Sequence, residues 1–409
     1  MVEATHAVER RQANLGRWEM GAFLVGFIGL VICIALMLSN DPDVKGPMAQ
    51  SYLWAFVFWG GLTLGCFSVN LLSHSVRAAW GTGIMRILDA GGGPIALGGM
   101  FALFIPVAYL FMSGTPIIYA WADPAVVAND AVLQHKAPYL NPMFVLIRAI
   151  LFFAAWFFLA RYLRKSTFKQ DQSLDEQEAR NRVNWASPGL VLFFITCTFA
   201  FTDWIMSIDE HWFSTMYGPW LIIGNALAAF TLCTAIVCYN AKREPYASIV
   251  TPNFTKDLGN LILTNLLLWT YVSFSQYLII WSGNIPEFTQ YYVERADGAW
   301  MLIPVSMIFL HFLIPFVALL NPVNKRKPRN LMFIAIWIFL MRIVDTYWIV
   351  TGGFTDREYP LQPWMSDLLA FGAVGLIWLA LFSTGIKRGS LLPVFDQRLK
   401  EAAAHDHHA

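Results

Sequence analysis

Arg342 and Asp345 sit three residues apart inside the otherwise apolar run "IWIFLMRIVDTYWIV". That spacing puts a guanidinium and a carboxylate on one helical face, where each can neutralise the other. A charge near the centre of a bilayer costs a few kcal/mol or more, so the pair needs a reason to be there. A structural ion pair between helices and a station on a proton path both fit the residues. His311 raises the same question in "MIFLHFLIPF". Pro315, four residues on, has no amide hydrogen to give the His311 carbonyl, which predicts a kink and a freed acceptor. The imidazole reads as a proton carrier or as a helix-to-helix hydrogen bond. Further acids lie in "FTDWIMSIDEHWFSTMYGPW", residues 201–220, which carries Asp203, Asp209, Glu210 and His211 without one Lys or Arg.

These residues need elements to hold them, and composition names the class. The chain is 57% hydrophobic, 13% charged and has a mean hydropathy of +0.51, too little polar surface to coat a soluble globule of 409 residues. Crossing about 30 Å of hydrocarbon takes roughly 20 apolar residues as a helix. Ten runs qualify: 18–38, 52–74, 92–112, 143–163, 187–206, 217–239, 258–281, 299–319, 331–350 and 366–386. Continuous apolar runs exclude the alternating strands of a membrane barrel, so the fold class is an all-α integral membrane protein. The chain reads as one polytopic domain: an amino-terminal segment 1–17, a ten-helix region 18–386 and a tail 387–409. Two four-helix bundles, spans two to five and six to nine, with the first and last spans peripheral, would accommodate ten helices. The first run follows Arg10, Arg11 and Arg17 but exceeds a signal-peptide core and lacks a small-residue cleavage site, so it reads as a retained helix.

Assigned to alternate sides, 22 of the 28 Lys and Arg fall at one end and four at the other. The positive-inside rule makes the richer side, with both termini, cytoplasmic. Arg148, Asp203 and Asp345 then share a level in the outer half of the membrane. The expectation is that opposite charges meet there, with Asp203 facing a polar pocket and Asp209, Glu210 and His211 capping it; snorkelling to the interface is the alternative for Asp203. Asn265, Ser273, Ser275 and Gln276 read as weak hydrogen bonds between helices, and Trp212, Trp220 and Trp281 as interface anchors. The region 164–186 reads as a charged connection with a short surface helix.

Five cysteines lie in apolar spans without a CxxC or C-x-x-C-H pattern, so neither an iron–sulfur cluster nor haem c is encoded. The histidines do not pair at one depth as a b-type haem requires. The tail "HDHHA" reads as a solvated end, or else as a chance metal binder. No soluble region is large enough to carry redox machinery, so the chain reads as a subunit.

Five motifs in order, "YLNPMFVLIRAILFFAAWFFLARYLRK", "FTDWIMSIDEHWFSTMYG", "YVSFSQYLIIWSGNIPE", "HFLIPFVALLNPVNKRKPR" and "MRIVDTYW", resemble the smaller of the two NrfD-like (polysulfide-reductase-type) membrane subunits of bacterial alternative complex III. One departure is Glu210, where the family places Pro after the aspartate. The resemblance implies a subunit of the bacterial cytoplasmic membrane that binds no cofactor itself and belongs to a complex oxidising quinol or menaquinol. Its partners would be a larger homologous subunit, subunits carrying haem c and iron–sulfur clusters, and lipids, with no nucleic acid. Carried over by motif, the proton-path candidates are Arg148, Asp203, Asp209, His211, His311, Arg342 and Asp345. A purely structural anchor and an independent secondary transporter are the alternatives.

Overall fold

The structure is a computed structural model and describes residues 17–113, 117–173, 176–354, 357, 359–360 and 364–393. The tail "HDHHA" lies outside them. Among the described residues there is no strand, and ten helical segments are long and apolar enough to cross a membrane: α1 (Trp18–Met37), α2 (Pro42–Ser75), α3 (Ala79–Met112), α4 (Pro142–Ser173), α5 (Gln177–Ile208), α6 (Tyr217–Tyr239), α7 (Pro252–Gly283), α8 (Gly298–Leu320), α9 (Pro328–Thr351) and α10 (Trp364–Lys387). The protein is an all-α multi-span membrane protein. Local chemistry sets several of the ends. Asp41 caps α2 by accepting from the Asp43 amide (3.0 Å), and Thr251 caps α7 by accepting from the Phe254 amide (3.2 Å), each just ahead of a proline in the first turn. The α7 helix stops at Asn284, whose left-handed backbone (φ 46°) closes its last turn.

Contacts between connections fix the alternation of ends. At one end the connection after α3 meets that after α5 (Lys136 to Glu210), which meets that after α7 (Asp209 to Arg295), while Gln50 of α2 meets Arg357. At the opposite end Arg86 of α3 bonds Asp171 of α4, Lys325 bonds Asn260 of α7, and Lys387 of α10 bonds Glu19 of α1. These are the cation-poor and cation-rich ends that the charge count separates.

The buried α2 is the hub, packed on α1, α3, α5, α6, α9 and α10. The α4 helix pairs with α3 and α5, α6 pairs with α7 and α9, and α1 rests mainly on α10, where Gly26 and Gly29 lie against Ala373. The tightest crossing is between α2 and α6. A Cβ added at Gly65 would stand 2.1 Å from the Asn225 carbonyl oxygen, and one at Gly61 would stand 2.8 Å from the Asn225 side chain. In lipid, helices gain nothing by hiding apolar surface from each other, so a small-xxx-small stripe of this kind supplies packing through backbone approach.

Two spans differ from their sequence reading. The third begins at Ala79 rather than 92: residues Ala79–Gly92 form a buried half-helix carrying Arg86 and Asp89, and the chain breaks at Gly93 before resuming as Pro94–Met112. A glycine run followed by proline costs helix propensity and an amide donor, so the half-helix resembles a loop to any hydropathy reading. The charged region 164–186 is also helical almost throughout, because α4 runs to Ser173. One face of it is buried rather than at the surface: Ser166, Gln170, Glu178 and Arg182 bond one another there, and Thr167 bonds the Leu163 carbonyl.

Candidate functional site

The pair predicted on α9 forms. Arg342 donates to Asp345 on the same helical face, and both side chains are buried. Asp345 Oδ2 also accepts from the Trp269 indole nitrogen of α7 (3.2 Å). Space for the guanidinium comes from Gly224 of α6, where an added Cβ would lie 2.3 Å from Arg342 Nη2.

His311 completes this cluster. Its ring lies 4.1 Å, centroid to centroid, from that of Trp269, so one tryptophan touches both the imidazole and the carboxylate. The residue is fully buried, and neither ring nitrogen meets a hydrogen-bond partner. The local backbone corrects the predicted kink. Residues Met307–Leu313 widen into a π-helix whose register ends with the Ile314 amide bonding the Phe309 carbonyl. In that register Pro315 fails the carbonyl of Leu310 rather than that of His311, and the freed Leu310 oxygen accepts from the Trp337 indole (2.7 Å). A proline four residues after a histidine signals a lost donor; it does not say that one wider turn moves the orphan acceptor by one position.

Arg148 of α4 and Asp203 of α5 meet as expected, in a two-pronged pair: Nε to Oδ2 and Nη2 to Oδ1, both 2.9 Å. The third guanidinium nitrogen donates to the Tyr139 carbonyl (2.9 Å), and the cation lies over the rings of Tyr139 and Phe144. Asp203 therefore faces inward, 2% exposed, and does not snorkel. Yet neither partner bonds to Arg342 or Asp345, so the charges at this level form separate pairs rather than a common pocket. Removing one member of a buried pair leaves an uncompensated charge, whereas replacing both with apolar residues is often neutral. Arg148→Met is accordingly expected to cost about 3–5 kcal/mol in thermal or denaturant unfolding in detergent, and Arg148→Met/Asp203→Leu to recover most of that loss.

Over the cation-poor end the acids find partners that the sequence reading left out. Asp209 pairs with Arg295 of the connection after α7 (2.8 Å), and the Arg295 guanidinium stacks 3.7 Å over Tyr291. The Arg295 carbonyl accepts from Trp348 (3.0 Å), one helical turn beyond Asp345 on α9, so α9 ties the outer pair to the inner one. Lys136 donates to the Glu210 carbonyl (2.5 Å), and burial holds its ammonium below the usual lysine range. His211 is half exposed and bonds Asp130 (2.9 Å) rather than capping a pocket. A fourth pair, Arg357 with Asp367 (3.2 Å), is shared with Ser51, Gln50 and Tyr347. The signal for Arg295, Lys136 and Arg357 was available: cations on the side that disfavours them need a local reason. Trp212 and Trp220 are buried in this layer, Trp212 stacked on Tyr291 at 4.1 Å; only Trp281 is exposed as an anchor would be. Of the four polar residues predicted to bond between helices from α7, Asn265, Ser273 and Ser275 bond carbonyls of their own helix, and Gln276 reaches outward, to Ser214 and Tyr292.

No protein-family model matches the chain, and no curated protein matches it. Its chemistry is therefore read from its own groups. Among the described residues no cluster of three or more His, Cys, Asp or Glu is placed to hold a metal ion, and all five cysteines are buried thiols. What the arrangement offers is acid, base and compensating charge inside a membrane-spanning bundle.

Asp130 gives the surface layer a pH dependence. It caps the helix Ala131–Lys136, and the Leu133 and Val132 amides together with His211 hold its carboxyl below the usual range. A depressed carboxyl stabilises the fold above its unfolded pKa, and that contribution is lost as pH falls through the folded value. Asp130→Ala is expected to lower the melting temperature at neutral pH, and the gap from wild type should close as the buffer is taken below the carboxylate range.

Proposed function

We propose that this chain is the smaller NrfD-like membrane subunit of a quinol-oxidising complex of the alternative complex III type, set in a bacterial cytoplasmic membrane with its cation-rich end inside. Electron chemistry resides on partner chains carrying haem c and iron–sulfur clusters, with a larger homologous subunit alongside. This chain supplies the scaffold and a route for protons. The stations are Asp209 with Arg295 at the outer end, then Asp345 with Arg342, then His311 in the interior. The observation that carries the reading is His311, a fully buried imidazole with both nitrogens unbonded, touching the tryptophan that donates to Asp345. A relay group must be free to accept on one side and to give on the other, and a histidine kept only as structural glue would spend its nitrogens on its neighbours. Arg342 compensates the Asp345 carboxylate, so a proton that reaches Asp345 leaves the guanidinium uncompensated and is passed on rather than held.

The test has two parts. Affinity purification from the native membrane is expected to bring down haem c and iron–sulfur proteins; isolation of the chain alone would reject complex membership. In the complex reconstituted into vesicles, His311→Phe is expected to leave quinol oxidation running while protons released per electron fall. An unchanged ratio would leave the anchor reading, which the fully satisfied Arg148–Asp203 pair favours on its own side of the bundle.

A further inference from the structure

At the cation-rich end a cleft of about 510 Å³ opens between the start of the second half of α3, the last turns of α4 and the chain just after α10. Five cations line it: Arg161, Arg164, Lys165, Lys169 and Arg388, with Pro94, Ile95 and Phe168 as its apolar wall. Among the described residues no carboxylate lines it, and the acids around it are already engaged: Asp89 by Arg164 (3.2 Å), Asp171 by Arg86 and Glu178 by Lys169. Arg161, Lys165 and Arg388 take part in no ion pair among the described residues. Three like charges gathered in one cleft without a paired carboxylate are costly to assemble and mark an anion site.

The cleft is also built rather than merely charged. Arg164 is only 12% exposed and fixed at both edges of its guanidinium, by Asp89 and by the Gly385 carbonyl (3.1 Å). It lies against Gly93, so the amino-terminal end of the Pro94–Met112 helix, with its unpaired amides and favourable dipole, opens beside it.

One face of α4 says which kind of anion fits. Ile147, Leu151 and Phe158 on that face are 45%, 61% and 69% exposed, the outward apolar surface of a membrane helix. Continuing at the same three- and four-residue spacing, the stripe changes to Arg161, Lys165 and Lys169 where the cleft begins. An apolar lane that ends in a cationic socket is complementary to an acyl chain that ends in a phosphate. We propose that this cleft binds the phosphodiester headgroup of an anionic phospholipid, with the acyl chains lying along α4. Basic pockets between membrane helices recognise such headgroups by their charge.

The experiment uses the full chain in nanodiscs. Titration with phosphatidylglycerol or cardiolipin in a phosphatidylcholine background, followed by native mass spectrometry of the retained lipid, is expected to show at least tenfold enrichment of the anionic species. Arg161→Gln/Arg388→Gln, which breaks no ion pair, is expected to cut that enrichment at least fivefold while melting unchanged in pure phosphatidylcholine. Equal retention of anionic and zwitterionic lipid by the wild type would overturn the proposal without recourse to any variant. Stabilisation by millimolar inorganic phosphate or pyrophosphate, with no lipid preference, would overturn it in favour of a soluble phosphate ligand.

Discussion

Asp345→Asn is expected to destabilise the protein by about 3–5 kcal/mol, a large share of the roughly 5–15 kcal/mol that a folded domain holds in reserve. The substitution keeps the shape and leaves the Arg342 charge buried with only a neutral amide beside it. The double variant Arg342→Gln/Asp345→Asn removes both charges and is expected to regain most of the lost stability. That recovery makes the pair informative about function. In reconstituted complex the stable double variant is expected to release fewer protons per electron than wild type, because the carboxyl that accepts the proton is gone. A double variant that is both stable and fully coupled would show the pair to be structural.

Gly65→Leu is expected to yield no monodisperse protein. Core overpacking typically costs about 1–3 kcal/mol because side chains can shift, but at Gly65 the obstruction is the backbone of α6 at Asn225. No rotamer change relieves it; α2 and α6 must separate, and α2 is the helix that six others pack upon. Gly98→Leu is the control, since a Cβ there meets nothing nearer than Phe157 at 4.0 Å. Size-exclusion chromatography in mild detergent checks both: Gly98→Leu should elute as wild type, and a well-behaved Gly65→Leu would refute the close-approach argument.

The ten helices were legible because bilayer thickness demands long apolar runs and leaves the backbone no other option. The alternation of ends was legible in the placement of cations, and the Arg342–Asp345 contact in simple helical spacing. Other features were hidden for physical reasons. The half-helix Ala79–Gly92 is rich in glycine and carries two charges, so it has the composition of a connection although its residues are buried. Asp209 looked unpartnered because Arg295 lies 86 residues away in the chain. The close approach at Gly61 and Gly65 was not read from the sequence, since glycine spacing alone does not say which neighbour it admits. Asp209, His311, Arg342 and Asp345 were found in the sequence, whereas Arg295 and Trp269 were not; the division of the charges into separate pairs, with His311 and Trp269 joined to only one of them, is a matter of three-dimensional packing.

The seating of α1 on α10 has a consequence for synthesis. Glu19 and Lys387, which tie these two helices together at 2.6 Å, are 368 residues apart. While the intervening chain is being made, α1 waits in the lipid with its glycine face uncovered, and its docking closes the assembly only when the tenth span arrives. Quality control that recognises unpaired membrane helices therefore has a long window in which to act on this protein, and truncation anywhere before α10 would leave that window permanently open.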